Sequence, residues 1–338
     1  MDVRRKEYPS GGFEMRIKKV TKEFIFDTVG APTPSVHAST IVKTKEGNVV
    51  CAWFGGEKES TQDVRVWIAV CENGVWGSPY CLEDGMNVAH WNPVLFENKK
   101  GELCLYYKVG VEIPTWKTYI AKSNDGGHSF GDAIELVPGN VGGRGPVKNK
   151  PIYLESGRMI APASDESTPR WYAFMDISDD DGESFRSVNI EKPDEPYFTR
   201  PLTEIQPTLW EEPAGHIHAL LRTNHGYAYR TDSFDNGDTW CTSYITTVPN
   251  NNSGLDLVKA EDKSLALVYN PTSGHGADRT PLWLAFSFNN GATFEKVLTL
   301  EDAKGEYSYP SIIADGKKLH ISYTYNRKTI AYACVECY

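Results

Sequence analysis

Apolar residues in this chain fall into short runs, such as Val49-Val-Cys-Ala-Trp53, Leu103-Cys-Leu-Tyr-Tyr107 and Leu265-Ala-Leu-Val-Tyr269. Rich in β-branched and aromatic residues and bounded by polar turns, these runs predict strands. Six segments open with a partner run: His37-Ala-Ser-Thr-Ile-Val42, Trp91-Asn-Pro-Val-Leu-Phe96, Asn149-Lys-Pro-Ile-Tyr-Leu154, Ile205-Gln-Pro-Thr-Leu-Trp210, Gly254-Leu-Asp-Leu-Val258 and Ser308-Tyr-Pro-Ser-Ile-Ile313. A turn containing Gly, or Glu-Asp-Lys in the fifth segment, leads from each into a second apolar run and predicts a hairpin. No helix is predicted beyond a short turn.

After a third strand, four segments carry one further pattern, beginning at Ser123, Ser178, Ser233 and Ser287, about 55 positions apart. It reads Ser-x-Asp-x-Gly-x-Ser/Thr-aromatic, with Asn289 in the acidic place of the last copy. The acidic side chain can accept from backbone N–H groups of its own turn, and Gly accepts positive φ. This pattern resembles the Asp-box of the sialidase superfamily. The resemblance implies an all-β, six-bladed β-propeller of four-stranded antiparallel blades with Asp-box hairpins on the outside, far from the active centre.

The blades are expected near residues 35–85, 88–140, 147–195, 203–248, 252–300 and 306–338. The last is three-stranded by itself, so the run around residues 20–30 is expected to close the ring and remove the exposed edges. No linker breaks the chain, and residues 1–338 read as a single domain. In a propeller the inner strands begin at one end of the central channel. His37, Trp91 and Asn92, Asn149 and Lys150, Gln206, Asn252 and Ser253, and Tyr307 to Tyr309 are thereby expected to converge on a concave site.

The resemblance assigns roles to some of these positions. The family's arginine triad grips a substrate carboxylate. His37 stands where the first arginine is expected, Arg222 matches the second with Arg230 nearby, and Arg279 matches the third. Tyr307, nine residues before Gly316, matches the nucleophilic tyrosine. The glutamate that activates that tyrosine is replaced by Gln206, and an amide takes no proton from a phenol of pKa about 10. Glu204 and Glu306 are the nearby carboxyls. The acid/base carboxyl is expected on the loop Gly55 to Asp63, with Glu57, Glu59 and Asp63 as alternatives. Lys150, Asn92 and Trp91 join Arg222, Arg279 and Gln206 as expected substrate contacts. Each has a structural alternative: arginines as ion-paired supports, Tyr307 and the tryptophans as packing between blades, Asp63 as a strand cap.

A net charge of −10 disfavours nucleic acid and anionic membrane surfaces as partners. Seven scattered cysteines without zinc-ligand spacing read as buried free thiols, and no metal or other cofactor is expected. The charged start of the chain lacks an apolar leader core, which favours a cytoplasmic setting unless a signal peptide has been removed. The expected partner is carbohydrate. The leading expectation is a sialidase-like exo-glycosidase releasing a terminal acidic sugar from a glycan. The alternatives are a uronate-specific lyase using His37, Tyr307 and an arginine, and a non-catalytic glycan-binding propeller.

Overall fold

The computed structural model describes residues 17–193 and 200–338. Its strands form six antiparallel sheets in a ring, each numbered from the channel outward. Blade 1 holds Ser35–Lys43, Val49–Gly56 and Arg65–Glu72, with Val75–Trp76 and Tyr80–Cys81 sharing the outer position. Blade 2 holds His90–Glu97, Leu103–Val109, Lys117–Ser123 and Ile134–Glu135, and blade 3 holds Ile152–Tyr153, Met159–Asp165, Tyr172–Ser178 and Arg186–Asn189. Blade 4 holds Glu204–Glu211, Ile217–Thr223, Tyr227–Ser233 and Tyr244–Pro249; blade 5 holds Asp256–Lys259, Leu265–Tyr269, Leu282–Ser287 and Glu295–Glu301. Tyr307–Asp315, Lys318–Tyr325 and Thr329–Cys337 build blade 6, and Ile17–Phe24 pairs along the last of them.

The closing strand therefore lies earlier than expected. Past Phe24 only the Ile25 N–H continues the ladder, to Ile330 O at 2.9 Å, and the chain then turns away. The expected end of blade 3 near residue 195 and the charged start of the chain lie outside the described residues. Among those described, the one helical turn is the 3-10 segment Ile113–Thr115.

Hydrophobic clusters fill the wedges between blades, as with Phe286, Leu284, Ile312, Ile321 and Tyr323 between blades 5 and 6. Cys51, Cys71, Cys104 and Cys337 are buried as expected of packing thiols, but Cys81 and Cys334 are only half-buried and Cys241 is exposed.

Where the inner strands enter the channel, one residue per blade adopts positive φ: Ala38, Asn92, Lys148, Gln206, Asn252 and Tyr309. Pro93, Pro207 and Pro310 follow three of them. The pairing register slips at four of these places, between His37 and Thr40, Trp91 and Val94, Ile205 and Thr208, and Ser308 and Ser311. Each is a β-bulge, which re-aims the side chain and bends the strand. For a residue such as Tyr309, a left-handed backbone costs about 1–3 kcal/mol and persists only where surrounding contacts hold it.

Strand alternation places the turns between third and fourth strands at the end opposite these entries. The Asp-boxes sit there and satisfy themselves. Asp180 Oδ1 accepts from Ser184 N at 2.9 Å and Oδ2 from Ser184 Oγ at 2.6 Å, while Ser178 Oγ accepts from Gly182 N at 2.8 Å. The hydrogen bonds that Asp180 accepts, that from the Ser184 hydroxyl foremost, hold its pKa down to about 2.

Candidate active site at the channel mouth

The bulge at Tyr309 turns its ring into the mouth of the channel. The guanidinium carbons of Arg222 and Arg279 each lie 5.5 Å from the ring centroid. Arg222, at the end of the second strand of blade 4, donates from Nη1 to the Tyr309 hydroxyl at 2.6 Å and to Gln206 Oε1 at 3.0 Å, and from Nε to Asn252 Oδ1 at 2.9 Å. All three acceptors are neutral. The two N–H groups on Nη2 complete its five donors.

A ladder of alternating charge continues from there across blades 5, 6 and 1. Arg279 Nη1 donates to Glu306 Oε1 at 2.8 Å, and Arg327 Nε reaches both Glu306 oxygens at 3.1 Å. Arg327 Nη1 donates to Glu59 Oε2 at 2.5 Å. Burial raises the Glu306 pKa, but Arg279 and Arg327 outweigh it and hold the carboxyl below its usual range.

The His37 ring packs against Tyr309 with centroids 4.2 Å apart and planes tilted by 50°, and its Nδ1 lies 3.0 Å from Thr324 Oγ1. Burial, and then the charges of Arg327, Arg279, Arg222 and Lys148, depress its pKa well below the ordinary value. The imidazole is therefore neutral at neutral pH. Arg222 also stabilises the charged form of Glu166, a carboxyl on blade 3 whose pKa burial nevertheless raises. The opposite wall is apolar. Phe54, Trp91 and Trp116 cluster with Tyr309, and Trp91 Nε1 donates to Gly110 O at 2.9 Å.

A cleft of about 470 Å³ opens over this arrangement, bounded by Arg222, Asn252, His275, Arg279 and Glu306. Among the described residues, no three His, Cys, Asp or Glu side chains are grouped to hold a metal.

His37, Arg222, Arg279 and Gln206 come together at the mouth, and Asn92 takes the equivalent bulge position in blade 2 at φ 43°. Tyr307 does not join them. Its ring is buried between blades 5 and 6, with its centroid 5.0 Å from that of Tyr325, because the bulge redirects Tyr309 alone. Lys150 is also absent from the mouth. It crosses the channel to Asp256, 3.0 and 2.9 Å from its two carboxylate oxygens, joining blades 3 and 5. Trp91 is 3% exposed, a packed wall rather than an open sugar platform.

Asp63 closes its own loop by accepting from Glu57 N at 2.6 Å, and the hydrogen bonds from Thr61 and from that N–H keep its pKa low. Glu57 is exposed on this loop. Glu204 is buried and accepts from Ser243.

Arg327 and Glu166 were not singled out from the sequence, and Tyr309 was expected at the channel end together with Tyr307 and Ser308 but was given no role. For Tyr309 a signal exists: Tyr309-Pro310 repeats the bulge dipeptides Asn92-Pro93 and Gln206-Pro207. Arg327 meets Glu59 across 268 positions of chain, with no local mark.

Among solved structures, a protein of unknown function from Dyadobacter fermentans aligns over 95% of this chain and 100% of its own, at 15% identity and a TM-score of 0.75. A Hadza microbial sialidase aligns over 93% and 68% at 15% identity and a TM-score of 0.77. The intramolecular trans-sialidase of Ruminococcus gnavus aligns over 93% and 96% at 13% identity and a TM-score of 0.66. At such identities the likeness shows the fold alone. No curated protein matches the sequence. A family model described as a BNR repeat-like domain matches residues 47–321, and with its sialidase-like propeller fold the chain belongs to that family.

Proposed function

We propose that the channel mouth binds a terminal acidic sugar and that the protein is a sialidase-like glycoside hydrolase. The observation that carries this reading is that Arg222 and Arg279, which both line the cleft, each place the guanidinium carbon 5.5 Å from the Tyr309 ring centroid. The Nη2 group of Arg222 and the N–H groups of Arg279 beyond its bond to Glu306 can grip a carboxylate by charge-assisted hydrogen bonds. A sugar held in this way presents its anomeric carbon to the mouth, where the electron-rich Tyr309 phenol stabilises positive charge as the glycosidic bond breaks.

Proton delivery to the leaving oxygen falls to the loop 57–63. Within it Glu59 is engaged by Arg327 and Asp63 by Thr61 and the Glu57 N–H, which makes Glu57 the proposed acid. The test is turnover of sialosides and uronosides by wild type, Arg222→Ala and Tyr309→Phe. Release of free acidic sugar by wild type, lost in both variants, supports the hydrolase; release undiminished in Arg222→Ala overturns it.

One observation favours a second reading, a uronate lyase. The neutral His37 imidazole packs, tilted, against a phenol that Arg222 also contacts, and the amide of Gln206 stands beside them. A neutral imidazole can take the proton α to a carboxylate that the arginines neutralise, and the phenol can return one to the leaving oxygen. An unsaturated product with near-ultraviolet absorbance, lost in His37→Ala, would select this chemistry.

A further inference from the structure

Hydrolysis needs a base for the attacking water as well as an acid for the leaving oxygen. Most carboxyls around the mouth are already committed. Glu306 and Glu59 are held by Arg279 and Arg327, Asp63 by its own loop, and Glu204 accepts from Ser243. Glu166, the residue after the second strand of blade 3, is different. It is 2% exposed, yet among the described residues its carboxyl accepts only from Ser164 Oγ, 3.0 Å from Oε1, and Oε2 accepts from nothing. An unpaired oxygen on a buried carboxyl is costly unless water or a ligand fills the place.

The backbone puts this group beside the mouth. Gly142 O accepts from Glu166 N at 3.4 Å and from Nε1 of Trp116, a member of the apolar wall around Tyr309, at 3.3 Å. Gly143 holds φ 112°, and a Cβ there would lie 3.1 Å from Ser164 O and 3.4 Å from both Lys108 Nζ and Trp116 Nε1. Glycine thus lets the chain between blades 2 and 3 pass close against the strand that ends at Glu166. Of the charged side chains, Arg222 acts on Glu166 most strongly, but no hydrogen bond joins the two. Among the described residues Nη2 of Arg222 likewise donates to nothing. An acceptor without a donor and a donor without an acceptor therefore stand on neighbouring blades at the mouth.

We propose that Glu166 is the general base of the hydrolysis, taking a proton through Oε2 from a water beside the arginine-held sugar. The water oxygen bonds to the anomeric carbon as the glycosidic bond breaks. Its proton passes to Glu166, and the leaving oxygen departs with the proton supplied by Glu57. Burial strengthens the base by raising its pKa, with Asp165 adding to the rise, while Arg222, the Ser164 hydroxyl and Lys108 favour the ionised form. The inference rests on the hydrolase reading of the mouth.

The test is turnover of the 4-nitrophenyl glycosides of N-acetylneuraminic, glucuronic and galacturonic acid by wild type, Glu166→Gln and Glu166→Ala, with and without sodium azide. Nitrophenolate leaves without a proton, so the acid is not limiting. The glutamine amide keeps the size of the side chain and an oxygen for Ser164. The expected result is a kcat about 100-fold or more lower in both variants on the glycoside that wild type accepts, with KM little changed. Azide, a nucleophile that needs no base, should restore release by Glu166→Ala and yield the glycosyl azide. A loss of less than about tenfold in Glu166→Gln, or no azide product from Glu166→Ala, overturns the base and leaves the hydrolase reading standing. Release from none of the three glycosides by wild type overturns both.

Discussion

The two ends of this propeller solve the same problem, how to seat polar groups among apolar blades, in opposite ways. At the Asp-box end the bonds that define the motif are local: in the second box Ser178, Asp180, Gly182 and Ser184 satisfy one another within a single turn. At the mouth the bonds are distant. Arg222 meets Tyr309 across 87 positions, His37 meets Thr324 across 287, and Arg327 meets Glu59 across 268. Local satisfaction can be repeated blade by blade and tolerates exchange. The mouth is built once, from different residues in each blade, and each group depends on others that only the closed ring brings near. Substitutions at the two ends should therefore differ in kind as well as size.

The largest effect is expected from a pair of tyrosines two residues apart. Tyr309→Phe removes the hydroxyl that Arg222 contacts at the mouth, and kcat/KM on an accepted acidic glycoside should fall by about 100-fold or more. Tyr307→Phe alters a ring in the core between blades 5 and 6, and kcat/KM should stay within about twofold with a small loss of stability. Steady-state kinetics on both variants decides the matter, and a greater loss in Tyr307→Phe would reverse the assignment.

The contrast also explains what could be read from the sequence. The Asp-box is legible because its hydrogen bonds close within five residues, so spacing alone reveals it. Arg222 and Arg279 were legible only through resemblance, and the structure brings both to the mouth. Tyr309 was expected at the channel end without a role, which went to Tyr307 instead, because strand alternation puts both on one face and a bulge then separates them. Lys150 was taken for a substrate contact because a cation leading an apolar strand is costly unless solvated or paired. Its partner, Asp256, lies 106 positions away on blade 5.

That pair gives the next prediction, the largest expected on stability. Asp256 is fully buried and accepts from Lys150, Thr208 Oγ1 at 2.7 Å and Ile312 N at 2.9 Å, tying blades 3, 4 and 6 to blade 5. Asp256→Ala leaves the Lys150 ammonium without its counter-charge, a change that costs about 3–5 kcal/mol. Denaturant unfolding should show the loss, and an unchanged midpoint would mean that the channel pair contributes nothing.

At the other end the expected losses are smaller. Asp180→Ala removes a carboxyl that caps its own turn, with a cost of about 1 kcal/mol by analogy with other capping side chains. Catalysis should not change. The pH dependence has a definite sign. The folded carboxyl is held at about 2, below the ordinary value of about 3.9. Its stabilising contribution is therefore complete above the ordinary value and is lost as pH falls through the interval down to about 2. Melting temperatures of wild type and Asp180→Ala should converge across that interval, and a gap that stays constant to the acid end would refute the linkage.

The smallest effect is expected where the repeat has already varied. In the fourth box Asn289 Oδ1 accepts from Thr293 N at 3.0 Å, and Nδ2 donates to Thr293 Oγ1 at 2.8 Å, where the other boxes have a hydroxyl donating to a carboxylate. Asn289→Asp reverses one donor and one acceptor on a short bond, and the Thr293 hydroxyl can rotate to donate instead. Ser287 Oγ, 2.9 Å from Asn289 Oδ1, keeps its role. The net change should be within about 0.5 kcal/mol at neutral pH, since both states satisfy every group and the site is exposed. The new carboxylate should nonetheless confer an acid sensitivity that Asn289 lacks. Unfolding of the variant at neutral pH and near pH 2 tests both halves. A loss of several kcal/mol at neutral pH would show that this box, unlike its three relatives, depends on a particular side chain rather than on the shape of the turn.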